Sequence, residues 1–455
     1  VRKPSRLVSV VAIVAMLLVS GTAPAGAQRR GGIQLLSDAE TEHTIRSMAR
    51  PIFEAAAVDP DSVHVLLVND PSLNAFVAGG QNIFLHTGLL LSADADQLIG
   101  VIAHETGHIA GGHLVRGSEA MENALLSSLL GMGLGIVGGI ASGNAGAGAA
   151  GVMLGQHLAE RNFLSFSRGQ EAAADQAALT YMEHAGISAR GLYDFLEKLG
   201  AGEPLLTQRD ADTPYQLTHP LSRERMQAVR AHVERSRYSD RRLPADTVER
   251  YQRIQAKLYA YLDPGGALRR YRAEDTSSVA RYGRAYAFLR RGEVERALPL
   301  IDGLIADEPR NAFFHETKGD LLLQTGRAVQ AVAPYRKAVE YAPDANPIRV
   351  SLAHALLEQH NPAVADEAIR NLQTASRTEG RSAFLWRLMA QAWNMKGNEA
   401  MVAYASAEEA LARGDRPMAL ALAERAERML PAGSPAWLRA QDIRGEAGRK
   451  EPGRN

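Results

Sequence analysis

The sequence predicts an α+β protein, mainly α, in which a helical domain with a small β-sheet precedes an all-α repeat solenoid. Three observations lead there. Strand-like runs stand in the stretch between Ser62 and Leu90. Most other segments carry apolar residues at helical spacing. In the C-terminal part, one set of small residues returns after 34 positions. A length of 455 residues implies two or three domains, expected at 28–265 and 266–455 behind an export signal at 1–27.

Composition narrows the function classes. Hydrophobic residues make up 46% and charged residues 22%, so most of the chain can bury a core. Lys+Arg and Asp+Glu are equal at 51 each, which gives no electrostatic basis for a nucleic-acid partner. There is no cysteine. Disulfides and thiolate ligands are therefore excluded, and any metal must be held by His and carboxylate.

At the N-terminus, Arg2, Lys3 and Arg6 precede the apolar run Leu7–Val19. Small residues Ala25, Gly26 and Ala27 then stand before Gln28. This is the layout of a cleaved secretory signal, and the run is short for a membrane span of about 20 residues. Export of a chain without disulfides points to a bacterial periplasm.

The first domain alternates helical and strand-like pieces. "TEHTIRSMARPIFEAA" reads as a helix and "SVHVLLVND" as a strand. "NAFVAGGQNIFLHTGLL" carries β-branched and aromatic residues around a Gly-Gly, as a hairpin or bent edge strand does. "SADADQLIGVIAHETGHIA" is helical, with Ser92 and Asp94 as candidate N-caps and Gly111-Gly112 as the stop. Residues 124–156 contain no charge and many glycines and alanines. Three readings stay open for them: a segment that covers a cleft or touches a membrane, a membrane span, or a core helix. Their composition favours the first.

The second domain is a repeat. Gly292, Ala297 and Pro309 recur 34 residues later as Gly326, Ala331 and Pro343, and Ala285 maps to Gly319. The same offsets return at Gly414, Ala419 and Pro431, with a less regular unit around Ala353 to Ala368. This period, with small residues where helices touch and Pro after the second helix, is the tetratricopeptide signature. Such repeats stack into a solenoid whose concave face binds protein or peptide.

The chemistry lies in "HETGH", residues 104–108. Residues four apart on a helix differ by about 40° around the axis, so His104 and His108 share a face and can grip one Zn²⁺. Glu105 is displaced by about 100° and can approach a water at the metal, as a general base does. This is the H-E-x-x-H arrangement of zinc peptidases. A third ligand is needed. His113 is one residue short of the metzincin third histidine, whose position is taken by Leu114. It also projects about 140° from His108 on a continuing helix, so it is read as a non-ligand. Downstream, Glu171 and Asp175 share a face of an alanine-rich helix. Either they are a solvated acidic face, or Glu171 binds the metal while Asp175 orients a ligating imidazole.

"HETGH", "SRGQEAAAD" and "THPLSRERM", in that order, resemble the gluzincin family of zinc metalloproteases that includes HtpX and the CAAX prenyl proteases. The tandem repeats add a resemblance to its BepA-like periplasmic members. The resemblance covers roughly Ile33 to Leu262. It implies one zinc per chain held by His104, His108 and Glu171, with Glu105 as general base and Asp175 behind a ligand. It implies that His219 can occupy the metal's open position and hold the enzyme latent; otherwise it belongs to a His-Pro turn. Arg225 matches an arginine after that turn, with a role toward substrate or Glu171. Asn74 and the strand after it can pair with a substrate backbone. HtpX and the prenyl proteases carry several membrane spans, so prenyl-protease activity is not expected here.

The sequence therefore predicts an exported zinc metalloendopeptidase. By resemblance, its role is quality control of outer-membrane protein assembly, degrading misfolded or stalled precursors. Its partners are unfolded or misfolded proteins and, through the repeats, an assembly machine; peripheral membrane contact is allowed and nucleic acid is not expected. Two rivals remain: a non-catalytic or latent chaperone or scaffold acting through the repeats, and a membrane-embedded protease using 124–156 as a span. The intact Glu105 argues against the scaffold, which has no need of a base.

Overall fold

The computed structural model describes residues 34–78, 80–112, 168–200, 219–380 and 382–449. The expected export signal, His113 and the uncharged segment 124–156 lie outside them.

The β-branched and aromatic runs between His64 and His86 form three of the four strands of the sheet, and Leu35–Leu36, which the sequence reading did not single out, adds the fourth. Its strands are β1 (Leu35–Leu36), β2 (His64–Val68), β3 (Ala75–Ala78) and β4 (Asn82–His86), in the order β1-β2-β4-β3. β2 runs parallel to β4, with Val65 opposite Ile83. β3 and β4 form the expected antiparallel hairpin, with Ala75 opposite Leu85. Gly80, at φ +101°, makes the turn. β3 is thus an edge strand.

Helix α1 (Ala39–Ala55) buries Ile45, Met48, Ala49, Ile52 and Phe53, the spacing of one helical face. α2 (Thr87–Ser92) follows β4 directly. α3 (Ala95–Ala110) is buried on every side from Leu98 to Gly107. Its N-cap is Asp94, which accepts from the Gln97 N–H at 2.8 Å, while the Gln97 side chain returns a bond to the Asp94 N–H. Ser92, the other candidate cap, instead closes α2, because the chain needs Ala93 and Asp94 in extended conformation to turn between the helices. The helix ends at Gly111, and Gly112 turns away at φ +61°.

A helix over 168–185, here α4, is followed by α5 (Arg190–Gly200), α6 (Arg223–Arg235) and α7 (Ala245–Leu262). α4 and α5 lie against α3 at glycine notches. A methyl group at Gly100 would stand 2.7 Å from the Leu192 backbone nitrogen, and one at Gly107 would stand 2.7 Å from the Ala174 carbonyl oxygen. α7 packs on α1, α2 and α3. Its buried Tyr251 hydroxyl donates to the Leu90 and Ala93 carbonyls at 2.9 and 3.2 Å.

After the short α8 (Pro264–Arg270) come helix pairs: α9 (Ser278–Arg290) with α10 (Val294–Asp307), and α11 (Ala312–Gln324) with α12 (Ala328–Tyr341). Then come α13 (Asn346–Leu357) with α14 (Ala365–Glu379), α15 (Ala383–Met395) with α16 (Glu399–Ala412), and α17 (Arg416–Met429) with α18 (Pro435–Gly448). The recurring residues have physical reasons. Gly292, Gly326 and Gly414 take φ between +72° and +74° at the turns. Ala297, Ala331 and Ala419 are fully buried. At Gly319 a side chain would strike the Tyr335 ring. In the less regular unit the left-handed turn position falls on His360, at φ +52°, followed by a 3₁₀ turn over Pro362–Val364.

No helix among the described residues is long and apolar enough to cross a membrane. The two candidate caps are separable by stability. Asp94→Ala is expected to cost about 1 kcal/mol, and Ser92→Ala about 0.5 kcal/mol or less, as read from urea unfolding midpoints.

Candidate metal centre

Four side chains converge where α3, α4 and the turn before α6 meet. One ligand-type atom from each of His104, His108, Glu171 and His219 lies within 4.8 Å of the others. His104 and His108 reach the centre from successive turns of α3, as their spacing requires. Their Nε2 atoms are 3.1 Å apart. Glu171 offers both oxygens, Oε2 at 3.3 Å from His104 Nε2 and Oε1 at 3.3 Å from His108 Nε2. His219 joins through Nδ1, 3.1 Å from Glu171 Oε2 and 3.3 Å from His104 Nε2.

The imidazoles are oriented from behind. His104 Nδ1 lies 2.9 Å from Asp175 Oδ1, so its N–H donates outward and the Nε2 lone pair faces the cluster. His219 Nε2 bonds to one acceptor, the Ala75 carbonyl at 3.2 Å, while Glu105 Oε1 stands 3.5 Å away without a hydrogen bond to it. Nε2 therefore carries the proton, and the Nδ1 lone pair is left for the cluster.

Asp175 is itself held by Arg225, whose Nε and Nη2 donate to it at 2.6 and 3.0 Å. The same guanidinium sends Nη1 to Glu171 Oε2 and to the Pro220 carbonyl, both at 2.9 Å. Arg225 is only 4% exposed, so its observed contacts fall on the side of Glu171 rather than of an incoming chain. Asn74 is buried at the start of β3, and its carbonyl accepts from the His86 N–H at 3.0 Å. Asn74 therefore bonds to β4, and by alternation it is Ala75 and Val77 that turn their backbone groups outward.

The electrostatics favour a cation. Burial opposes ionisation of Asp175, yet hydrogen bonds from His104 and Arg225 hold its carboxyl at about 2. Burial likewise opposes a charge on Glu171, and the His104, His108 and His219 imidazoles set against it hold it far below the usual carboxylate range. Burial disfavours protonated His104, but Asp175 and Glu171 raise its pKa to about 10. Glu105 is fully buried, and neither of its carboxylate oxygens has a hydrogen-bond partner among the described residues. In the absence of a metal, the Glu171 and Asp175 carboxylates draw a proton onto His104; a bound cation takes that proton's place and leaves the imidazole neutral. Imidazole and carboxylate donors without thiolate suit zinc.

Two contributors escaped the sequence reading. Gly107 is required because α4 crosses α3 there; a glycine inside a helical run was the available signal. The Pro220 carbonyl left no signal, since any residue supplies one.

Comparison with known proteins follows the same line. Residues 36–233 match the model of peptidase family M48. The chain is similar to the beta-barrel assembly-enhancing protease of Yersinia pestis, 25% identical over 426 residues that span 90% of this chain and 83% of the relative. The protein of the same name from Escherichia coli (strain K12) is 27% identical over 422 residues, with the same coverage. Metalloprotease LoiP of Escherichia coli (strain K12) is 31% identical over 181 residues, 38% of this chain and 62% of the relative.

Because Gly107 admits the Ala174 backbone, Gly107→Ala forces the two helices apart. A strain of about 1–3 kcal/mol is expected, together with loss of bound metal, measured by urea unfolding and by metal analysis of the purified variant.

Proposed function

With residues 36–233 belonging to peptidase family M48 and the chain thereby a metallopeptidase, we propose that it is a latent, zinc-dependent endopeptidase. His104, His108 and Glu171 hold the zinc, and His219 is a displaceable fourth ligand. The observation that carries this reading is the Glu105 carboxylate, fully buried and without a hydrogen-bond partner among the described residues, beside three converging donors. A structural helix gains nothing from such a group, whereas a general base needs it.

Zinc, when bound, supplies the positive charge that acidifies water and polarises the scissile carbonyl. The remaining work falls to the chain. Glu105 takes a proton from the attacking water and delivers it to the leaving amine. Asp175 and Arg225 keep His104 in the ligating tautomer. The outward backbone groups of Ala75 and Val77 pair with an extended substrate, which thereby adds a strand at β3. His219 stands in the way twice, since Nδ1 faces the metal ligands and Nε2 holds the Ala75 carbonyl. One movement of the turn 219–222 therefore opens the coordination position and frees the strand edge together.

The repeated helix pairs form a tetratricopeptide array that recruits protein partners. The names of the similar proteins support a place in outer-membrane β-barrel assembly. In this reading the enzyme is periplasmic and removes misfolded or stalled precursors.

The test uses purified protein beginning at Gln28, measuring zinc per chain and degradation of casein. We expect one zinc, cutting reduced by about 10²-fold or more in Glu105→Gln, and increased cutting in His219→Ala. Zinc without cutting in any variant would favour a latent scaffold working through the repeats. Absence of zinc would remove the catalytic reading.

A further inference from the structure

A second group of acids, with Glu40 and Glu316 buried and Asp38 and Asp320 partly so, lies away from the metal centre, where the start of α1 meets α7, α9, α11 and α12. Lys257 of α7 is 4% exposed. Its ammonium contacts Asp38, the N-cap of α1, and Glu40 Oε2 at 3.1 Å. It also lies 5.2 Å from the centre of the Tyr286 ring. Tyr282 of α9 donates to Glu40 Oε2 at 2.5 Å, with the Thr317 hydroxyl of α11 3.1 Å away. Tyr335 of α12 donates to Asp320 Oδ1 at 2.5 Å. Glu316 of α11 is buried, and its Oε2 has no hydrogen-bond partner among the described residues.

Four carboxyl groups, Asp38, Glu40, Glu316 and Asp320, thus share the charge of one lysine. Their oxygens do not converge as a metal site does; among the described residues only the His104 group does so. Buried acids in excess of their counter-cations, without a metal, are relieved by taking up protons. We propose that this junction is a proton-dependent clamp between α1 and the helix pairs, tight in acid and loosening as the pH rises, with Glu316 and Asp320 as its titrating groups.

The groups around it agree in sign. Burial raises Glu316 well above the usual carboxyl value despite Lys257, with Asp320, Asp38 and Glu40 adding to it. Burial also raises Asp320 and Glu40, against the hydrogen bond from Tyr335 in the first case and Lys257 in the second. On the outer side of α1, burial pushes Glu42 up to about 7, opposed by the hydrogen bond from the Asp38 N–H and by Arg46, with the Asp38 and Glu379 charges adding to it. A carboxyl with a raised folded pKa stabilises fully below its unfolded value of about 4 and ceases to do so as pH climbs through the folded value. His43 and His315 are lowered by burial and act in the opposite direction, but their effect is complete once the pH exceeds about 6.5. Burial opposes the charge on Lys257, but the surrounding acids raise its pKa well above the ordinary value, so Lys257 stays charged throughout this window.

Hydrogen exchange by mass spectrometry tests the clamp on the full chain, from about pH 6 to 8.5 and corrected for intrinsic rates. Opening of α11 should rise by up to about tenfold per pH unit for each proton released. Peptides from α17, far along the array, should stay flat. Glu316→Gln should flatten the α11 response and slow its opening at the alkaline end. If Glu316→Gln fails to fold, Asp320→Asn is read in its place, with the same expectation. A wild-type change under about twofold across the range, or a neutralised variant that keeps the wild-type slope, overturns the proposal.

Discussion

The contact between Gly107 and the Ala174 backbone governs the metal centre. α3 is buried on every side from Leu98 to Gly107, so its distance from its neighbours is set by what its side chains permit. Glycine at 107 lets α4 approach until a methyl group would collide with the Ala174 carbonyl. Only at that distance can Glu171 and Asp175, three residues before and one after Ala174, reach His104 and His108. The notch at Gly100 fixes the same helix against α5. A centre that gathers four donor-type side chains within a few ångströms rests on close-packed backbone rather than on the donors' own attraction.

Burial of acid recurs as the theme of the molecule, with two different solutions. At the metal centre, Glu105, Glu171 and Asp175 are closed around convergent imidazoles, and the charge that fits is a divalent cation. At the junction of α1 with the helix pairs, the acids are spread over several helices, and the available charges are one lysine and protons. Geometry rather than composition separates the two. Both places use the same residue types, but only the first brings lone pairs to a point.

α7 ties these regions together. One side holds the α2–α3 turn through Tyr251 and Gln255, which both bond to the Leu90 and Ala93 carbonyls. The other side packs on α9 and carries Lys257 into the acidic junction. A disturbance at the helix pairs thus has a short physical route to the N-terminus of the helix that bears His104, through side chains of a single element.

Much of this was legible in the residues. The β-branched and aromatic residues around a Gly-Gly pointed to the hairpin, and the 3.6-residue period put His104 and His108 on one face, because both are properties of local backbone geometry. The 34-residue spacing carried the helix pairs, since left-handed turns demand glycine and tight crossings demand alanine. It blurred at His360, where another side chain takes the glycine's conformation. Local chemistry alone left Ser92 and Asp94 equal as caps; the turn between α2 and α3 chose Asp94. What only the tertiary structure decided are relations between distant segments: Glu171 and Asp175 reaching α3, Arg225 closing behind them, His219 bridging to Ala75, and Lys257 meeting Asp38 across 219 residues. A sequence records each side chain's period and chemistry, but such meetings depend on how closely whole helices pack, which no single segment contains.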